Sequence, residues 1–420
     1  MAAYASTVPV AASCFGRVAP VALLSNLGAA PLCAWVLGSG FATILLEPVP
    51  VLGEMAAHST EAGARVLIGL ARTAASLPGS SWRVAAPHSS LVTAHYLLIC
   101  LSVAHAGRVS GTTGRVFHRG SLLALAVCLA LIHLGPFPRD PRAMMKVVVA
   151  DVGQAQSVLV RGPDGGCVVA DAGGTSGGRF DAGERVVAPL LLRHGCRRID
   201  VLVLTHDDDD HAGGAVALLR EIEVDELWYG AGTHRRPRTR RIREAARARG
   251  VATRMVGRGV GLRRAGLSLE VLHPGSSDEG LDVNNRSVVL RVAAGSRRLL
   301  IVGDLEAAGE RSLLAAGIDP STDVLVVGHH GAGAATSPLF LAAARPAMAA
   351  ISAGAWNRFG HPSPEVLDRL AAGDVTVRRT DRDGTIVFVA GPQGWRAFPA
   401  RGSPEGERNR DEAGEEDEQQ

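Results

Sequence analysis

The sequence predicts an α/β domain preceded by an α-helical membrane segment, and three patterns predict it. Residues 18–46 contain no Asp, Glu, Lys or Arg. From Lys146 onward, short β-branched runs each stop at an acid, a histidine or a glycine turn. Stretches with helical spacing lie between those runs, as in layered α/β proteins. At 420 residues the chain exceeds what one core usually organises, so two units are expected. The predicted organisation is a membrane segment over 1–138, an α/β domain over 144–400 and a polar acidic tail over 401–420 that lacks apolar anchors and is expected to be disordered.

The first element, 18–46, is long enough to cross a hydrocarbon core of roughly 30 Å at about 1.5 Å of rise per residue. Residues 84–107 and 120–138 are two further uncharged runs, interrupted by His88, His95, His105 and His133. About three spans are therefore expected. Between them, 52–77 sets Glu54, Glu61, Arg65 and Arg72 among Leu and Val at helical spacing. That suits either a helix in the membrane interface or one packed on its neighbours. Residues 1–15 have no basic region before an apolar stretch, so a secretory signal is not expected. Arg108, Arg115 and Arg119 make the loop before the third span basic. By the positive-inside rule this favours a multi-pass protein of the cell membrane with its C-terminal domain on the non-cytoplasmic side, although Arg139, Arg142 and Lys146 weaken that orientation.

Charge and cysteines set bounds. A net charge of +3 selects no partner, and Lys146 is the only lysine, a coding bias toward arginine. The six cysteines form no C-x-x-C pair, so neither a disulfide framework nor a zinc–thiolate site is supported.

In the C-terminal domain, strands are expected over 147–150, 167–170, 201–205 and 299–303, ending at Asp151, Asp171, His206 and Asp304. Helices are expected over 213–222, 240–249 and 364–371. The most informative stretch is VLVLTHDDDDHAGG at 201–214, an apolar strand, a loop carrying His206, Asp208, Asp210 and His211, and glycines that open a helix. Imidazole and carboxylate in this mixture suit Zn²⁺ or Mn²⁺. Four consecutive aspartates alone would read as a solvated loop. Histidines closing both ends, between a buried strand and a Gly-Gly helix start, favour metal.

This stretch resembles the H-x-[HD]-x-D-H signature of the metallo-β-lactamase fold, and further motifs narrow the resemblance to the ComEC competence-protein family. They are DVGQ at 151–154, DAGG at 171–174, FDAGERVVAPLL at 180–191, NNRSVVLRV at 284–292, VGDLE at 302–306, VGHHG at 327–331 and NRFGHPSPEVL at 357–367. FGRVAPVALLSNLGAAPL at 15–32 is similar to the family's competence segment. The resemblance implies a metallo-β-lactamase-like αββα sandwich with two divalent ions, Zn or Mn. His206, Asp208, Asp210 and His211 would be ligands, Asp304 would bridge the two metals, and one of His329 and His330, with His330 preferred, would complete the set. The other histidine would face the substrate or donate a proton, which makes Asp210, His329 and His330 the catalytic candidates. Asp304 could instead merely cap the following helix. Asn284, Asn285, Asn357 and His361 would line the substrate cleft, and Asp151 and Asp171 would orient ligands by hydrogen bonds.

The family's DVGQGD becomes DVGQAQ here, with Ala155 and Gln156 replacing a glycine and an acid. The chain also begins inside what the family uses as a longer channel region, so a complete pore is not expected from it alone. The resemblance implies a membrane-tethered hydrolase of phosphodiesters, acting on DNA during import, with DNA, the membrane and other competence-channel subunits as partners. The alternatives are a transport component whose hydrolase domain is secondary, and a metallohydrolase for a small phosphodiester or another ester. Residues 234–264 are rich in arginine, which suits phosphate oxygens, or a solvated helix. Trp228, Tyr229, Trp356 and Phe359 are the only aromatic residues near the motifs, so base readout is not expected.

Overall fold

The computed structural model describes residues 2–77, 79–84, 87, 89–106, 112–134, 144–176 and 180–399. The acidic tail, the boundary near 136–142, His88 and Arg108 lie outside the described residues. Two compact units divide the chain, Met1–Phe137 and Pro138–Gln420.

The first unit is helical, with helices Ala2–Phe15, Ala22–Leu45, Pro50–Ser76, Ser89–Ala106 and Thr112–Leu134. Among the described residues one helix, Ala22–Leu45, is long and apolar enough to cross a membrane, and none of its apolar window is buried. Among the described residues, the other two expected spans hold the apolar helical stretches Ser90–Ala104 and Gly120–Ile132, while residues 107 and 135–138 of those spans lie outside the described residues. Helix Pro50–Ser76 packs along Ala22–Leu45 rather than standing alone. Trp35 Nε1 donates to Ser59 Oγ at 2.9 Å, and Thr60 Oγ1 donates to Ser39 Oγ at 2.9 Å. A Cβ on Gly63 would already lie 3.0 Å from Val36 Cγ2, so the glycine sets how closely the pair approaches.

The second unit is a sandwich of two sheets. One sheet runs, in spatial order, Ala252–Val256, Glu223–Gly230, Arg198–Leu204, Cys167–Ala170, Val158–Arg161, Met145–Val149, Ile386–Gly391 and Gly394–Pro399. The other runs Gly261–Arg264, Leu267–His273, Val289–Ala294, Arg297–Ile301, Val324–Val326, Met348–Ile351 and Thr376–Arg379. Val147, Val149, Val201 and Val203 of the first sheet share one buried cluster with Leu290, Val292, Leu299, Ile301 and Val326 of the second. Because side chains alternate along a strand, Leu300, Leu325 and Ile351 point the other way. There they meet Leu313, Phe340, Val366 and Leu370 of the helices Ala307–Ala315, Pro338–Ala344 and Pro364–Ala372. Helices Ala215–Glu221 and Pro237–Ala248 lie against strand Glu223–Gly230 of the first sheet. The result is the αββα layering expected from the resemblance.

Parallel pairing decides where the site forms. Cys167–Ala170, Arg198–Leu204 and Glu223–Gly230 are parallel neighbours, as are Arg297–Ile301, Val324–Val326 and Met348–Ile351. Their carboxyl ends therefore open together, and ligand sites of open α/β sheets gather at such ends. The FDAG and HAGG motifs meet beside this rim. A Cβ on Gly183 would fall 2.1 Å from Gly214 O, so only glycine lets the two backbones pass.

Candidate metal centre

Each expected ligand follows a strand directly. The loop after Arg198–Leu204 carries His206 to His211, and its aspartates sort by alternation. Asp208 and Asp210 turn toward the strand ends. Asp207 and Asp209 turn away, where Asp207 accepts from the Thr239 amide at 2.5 Å and Asp209 Oδ2 from the Thr175 amide at 2.9 Å. Arg236 lies 3.6 Å from Asp207 and 3.7 Å from Asp208, and Arg238 bonds Asp209 at 3.1 Å. The arginine-rich segment thus begins by holding this loop in place.

Asp304 lies between two groups of side chains. On one side, its Oδ1 is 2.9 Å from His211 Nε2 and 3.8 Å from His330 Nε2, which is itself 3.3 Å from Asp210 Oδ2. Ligand atoms of Asp210, His211, Asp304 and His330 all lie within 4.8 Å of one another. Ligands at ~2.0–2.1 Å from a tetrahedral zinc are about 3.4 Å apart, so the group is near the right size. On the other side, Asp304 Oδ2 is 3.6 Å from His206 Nε2, which is 3.9 Å from Asp208 Oδ2. His329 Nε2 is 3.6 Å from the same Asp304 oxygen, at a quarter-exposed rim position.

Hydrogen bonds fix which nitrogen each ring offers. Thr205 Oγ1 donates its one proton to Asp171 Oδ2 at 2.8 Å, so at 3.1 Å from His206 Nδ1 it can only accept. His206 therefore turns a bare Nε2 to the centre. His211 Nδ1 donates to Asp171 Oδ2 at 2.7 Å, and His330 Nδ1 donates to the Ser352 carbonyl at 2.8 Å, so each ring turns its Nε2 to the centre. Partners behind metal-binding histidines commonly set the tautomer in this way. His206 Nε2 and Asp304 Oδ1 are buried and make no hydrogen bond. Leaving buried polar atoms without partners costs about 1–3 kcal/mol each, a cost that coordination removes. The donor set fits divalent cations bound by nitrogen and oxygen.

The electrostatics agree. Burial, with His211 alongside, lowers the pKa of His206 and keeps it neutral. Burial opposes charge on Asp304, yet His211, His330 and His206 hold its carboxyl well below the usual range. Burial would lower His211 as well, but Asp304 and Asp171 carry it well above an ordinary imidazole. Asp210 resists its own burial through the bond to His330 and ends below its usual value.

The remaining expected residues divide. Asp171 is buried and orients His211, while its Oδ1 accepts the Thr205 amide at 2.8 Å. Asp151 shapes its own turn instead, its Oδ1 accepting the Gly153 amide at 3.3 Å. Asn285 is committed away from any cleft. Its Oδ1 accepts the Gly309 amide at 2.8 Å, its Nδ2 donates to Asp282 at 2.8 Å, and it is buried. Asn284 is half-buried at the start of the same turn, Asn284–Arg286. Ser287, three residues on from Asn284, is what reaches the centre, where its Oγ accepts the Asp304 amide at 3.2 Å. Asn357 braces a loop, with Nδ2 donating to the Gly354 and His361 carbonyls at 2.9 and 2.6 Å. That loop brings the His361 ring to 5.8 Å from His329.

Sequence reasoning missed three further contributors. Glu306 Oε1 accepts from His329 Nδ1 at 2.8 Å, and Thr205 links Asp171 to His206. Gln156 Nε2 donates to Asp171 Oδ2 at 2.9 Å, so the departure from DVGQGD keeps a contact at the site. All three lie inside the quoted motifs, which was the available signal.

Residues 150–354 match the model of the metallo-beta-lactamase superfamily, and residues 1–109 match that of the competence protein family. ComE operon protein 3 of Bacillus subtilis (strain 168) is 37% identical over 254 residues, covering 58% of this chain and 33% of that protein. Competence protein ComA of Neisseria gonorrhoeae is 33% identical over 303 residues, covering 66% and 40%. The chain thus carries a competence-protein segment followed by a metallo-beta-lactamase-superfamily domain, and it is similar to competence proteins of the ComEC type. The chain spans 33% and 40% of the length of these two relatives respectively. Among solved structures, the metallo-beta-lactamase fold protein YhfI from Bacillus subtilis aligns with a TM-score of 0.38 at 12% identity, over 56% of this chain and 96% of that one.

Proposed function

We propose that the chain is a membrane-tethered, metal-dependent phosphodiester hydrolase that acts on DNA in the course of its import. One observation carries the reading: the two oxygens of Asp304 face two separate groups of nitrogen and oxygen donors. That is the arrangement a bridging carboxylate needs. Similarity to competence proteins supplies the case for DNA, and the apolar helix Ala22–Leu45 the case for tethering.

Asp210, His211 and His330 would hold one ion, His206 and Asp208 the other, and Asp304 both. When bound, two divalent ions, Zn²⁺ or Mn²⁺, would supply Lewis acidity to a phosphoryl oxygen and would lower the pKa of water. The protein's own task is to fix geometry and move a proton. Asp171 and Ser352 hold the rings of His211 and His330 so that their Nε2 atoms converge. His329 stands at the open edge with Nδ1 on the Glu306 carboxylate, so it can carry a proton on Nε2 and give it to the leaving oxygen.

The full chain in detergent, stripped of metal and resupplied with Mn²⁺ or Zn²⁺, tests this with single- and double-stranded DNA beside an Asp210→Ala, His211→Ala variant. Metal-dependent cleavage that the variant loses is the expected result. Bound metal without DNA cleavage, together with hydrolysis of a small phosphodiester, would overturn the DNA reading.

A further inference from the structure

Loop 354–361 carries a feature that metal binding does not account for. Trp356 is 101% exposed and sits at φ 56, a left-handed conformation that is a genuine outlier for a bulky side chain. Such strain persists only where the surroundings hold it, and here they do. Gln154 Oε1 accepts the Gly354 amide at 2.9 Å, and Ser352 Oγ donates to the Ala155 carbonyl at 2.7 Å. Asn357 Oδ1 accepts the amides of Phe359 and His361 at 3.2 and 3.0 Å. The loop is braced from both ends, and its apex still leaves a tryptophan uncovered.

Phe359 is 56% exposed and stacks on His361 with centroids 5.8 Å apart and an interplanar angle of 26°. His361 lies 5.8 Å from His329, and His329 lies 6.2 Å from His330. A row of rings therefore runs from solvent to the metal ligands. The Arg358 guanidinium sits 5.0 Å over the Phe359 ring, adding positive charge beside the exposed faces. Trp228 and Tyr229, on strand Glu223–Gly230, are buried and offer no such surface.

The geometry points to loop 354–361 as a base-stacking platform: Trp356 and Phe359 receive unpaired bases of a single-stranded polynucleotide whose backbone enters the metal centre past His361 and His329. This rests on the hydrolase reading and narrows its substrate. Aromatic faces bind any base, because every base has a π-face, so the platform selects strandedness without reading sequence. A membrane contact would use the same exposed rings. The ring row leading to Asp304 and the arginine over Phe359 favour the polyanion.

The test uses the full chain in detergent with Mn²⁺ and three substrates: oligothymidylate, the same oligomer with abasic tetrahydrofuran units, and methyl 4-nitrophenyl phosphate, a diester without a base. Trp356→Ala and Phe359→Ala should each lower kcat/KM on oligothymidylate roughly tenfold or more, mainly through KM. Both should leave the abasic oligomer and the small diester unchanged, and Trp356→Phe should keep most of the wild-type value. Equal losses on all three substrates, or none on oligothymidylate, would overturn the platform. Oligothymidylate affinity in EDTA, read by fluorescence anisotropy, separates this from failure of the hydrolase reading. An affinity that drops in Trp356→Ala supports stacking even if no diester is cleaved. Unchanged affinity, with a Trp356-dependent emission shift on reconstitution into vesicles without DNA, would assign the loop to lipid instead.

Discussion

Asp171→Asn is the sharpest perturbation available at this centre. Asn tolerates the left-handed backbone that Asp171 adopts at φ 62, so the substitution changes chemistry and not chain path. The native carboxylate receives four donors: the Thr205 amide on Oδ1 at 2.8 Å, and on Oδ2 Thr205 Oγ1 at 2.8 Å, Gln156 Nε2 at 2.9 Å and His211 Nδ1 at 2.7 Å. An amide has only one acceptor oxygen, and the three donors at Oδ2 will claim it. The NH₂ then faces the Thr205 N–H, a buried donor against a donor, at a stability cost of about 1–3 kcal/mol. His211 also exchanges a charged partner for a neutral one. Loss of such a partner behind a metal ligand lowers metal affinity roughly 10–100-fold, or about 1.4–2.7 kcal/mol. A chelator-competition titration with Zn²⁺ measures the affinity, and thermal unfolding in EDTA measures the stability term separately. Metal affinity within twofold of wild type, in a variant whose stability falls, would show that Asp171 is only a structural carboxylate and that His211 needs no help.

Three other outcomes are expected. Asp304→Asn removes the charge shared by both groups and should reduce bound Zn²⁺ from about two per chain to one or fewer, read by elemental analysis after gel filtration. Gly183→Ala places a Cβ 2.1 Å from Gly214 O and should cost at least about 3 kcal/mol of stability by denaturant unfolding, because backbone on both sides must move. His194 is pushed down to about 3 by burial, with Lys146, Arg193 and Arg161 adding to it, so the folded chain keeps it neutral while the unfolded chain protonates near 6.5. Its contribution is therefore complete above about pH 6.5 and is lost as the pH falls toward 3. His194→Gln should flatten the wild-type stability slope by about 1.4 kcal/mol between pH 7.5 and 5.5.

The fold was legible where one residue type has one physical use. A β-branched run that stops at an acid marks a strand end, and Asp171 and Asp304 stand where that pattern put them. The loop at 206–211 was readable because histidines flank the acids and glycines follow. Alternation then separates Asp208 and Asp210 from Asp207 and Asp209, which the loop gives to Arg236, Arg238, Thr175 and Thr239. What stayed hidden depends on which way a loop side chain turns. Asn285 and Ser287 share one short motif, yet the helical turn buries the first against Gly309 and aims the second at Asp304. Glu306 closes the VGDLE motif with no role legible in it, and only the fold brings it 2.8 Å from His329, across 23 residues.

Asp304 and His330 come from the second sheet, whereas His206 and His211 come from the first, with roughly a hundred residues of chain between them. A nascent chain leaving the ribosome therefore presents half a centre until the strands up to Met348–Ile351 have emerged and closed over the first sheet. The order of the strands alone therefore delays completion of the metal-binding cluster until most of the domain has been made.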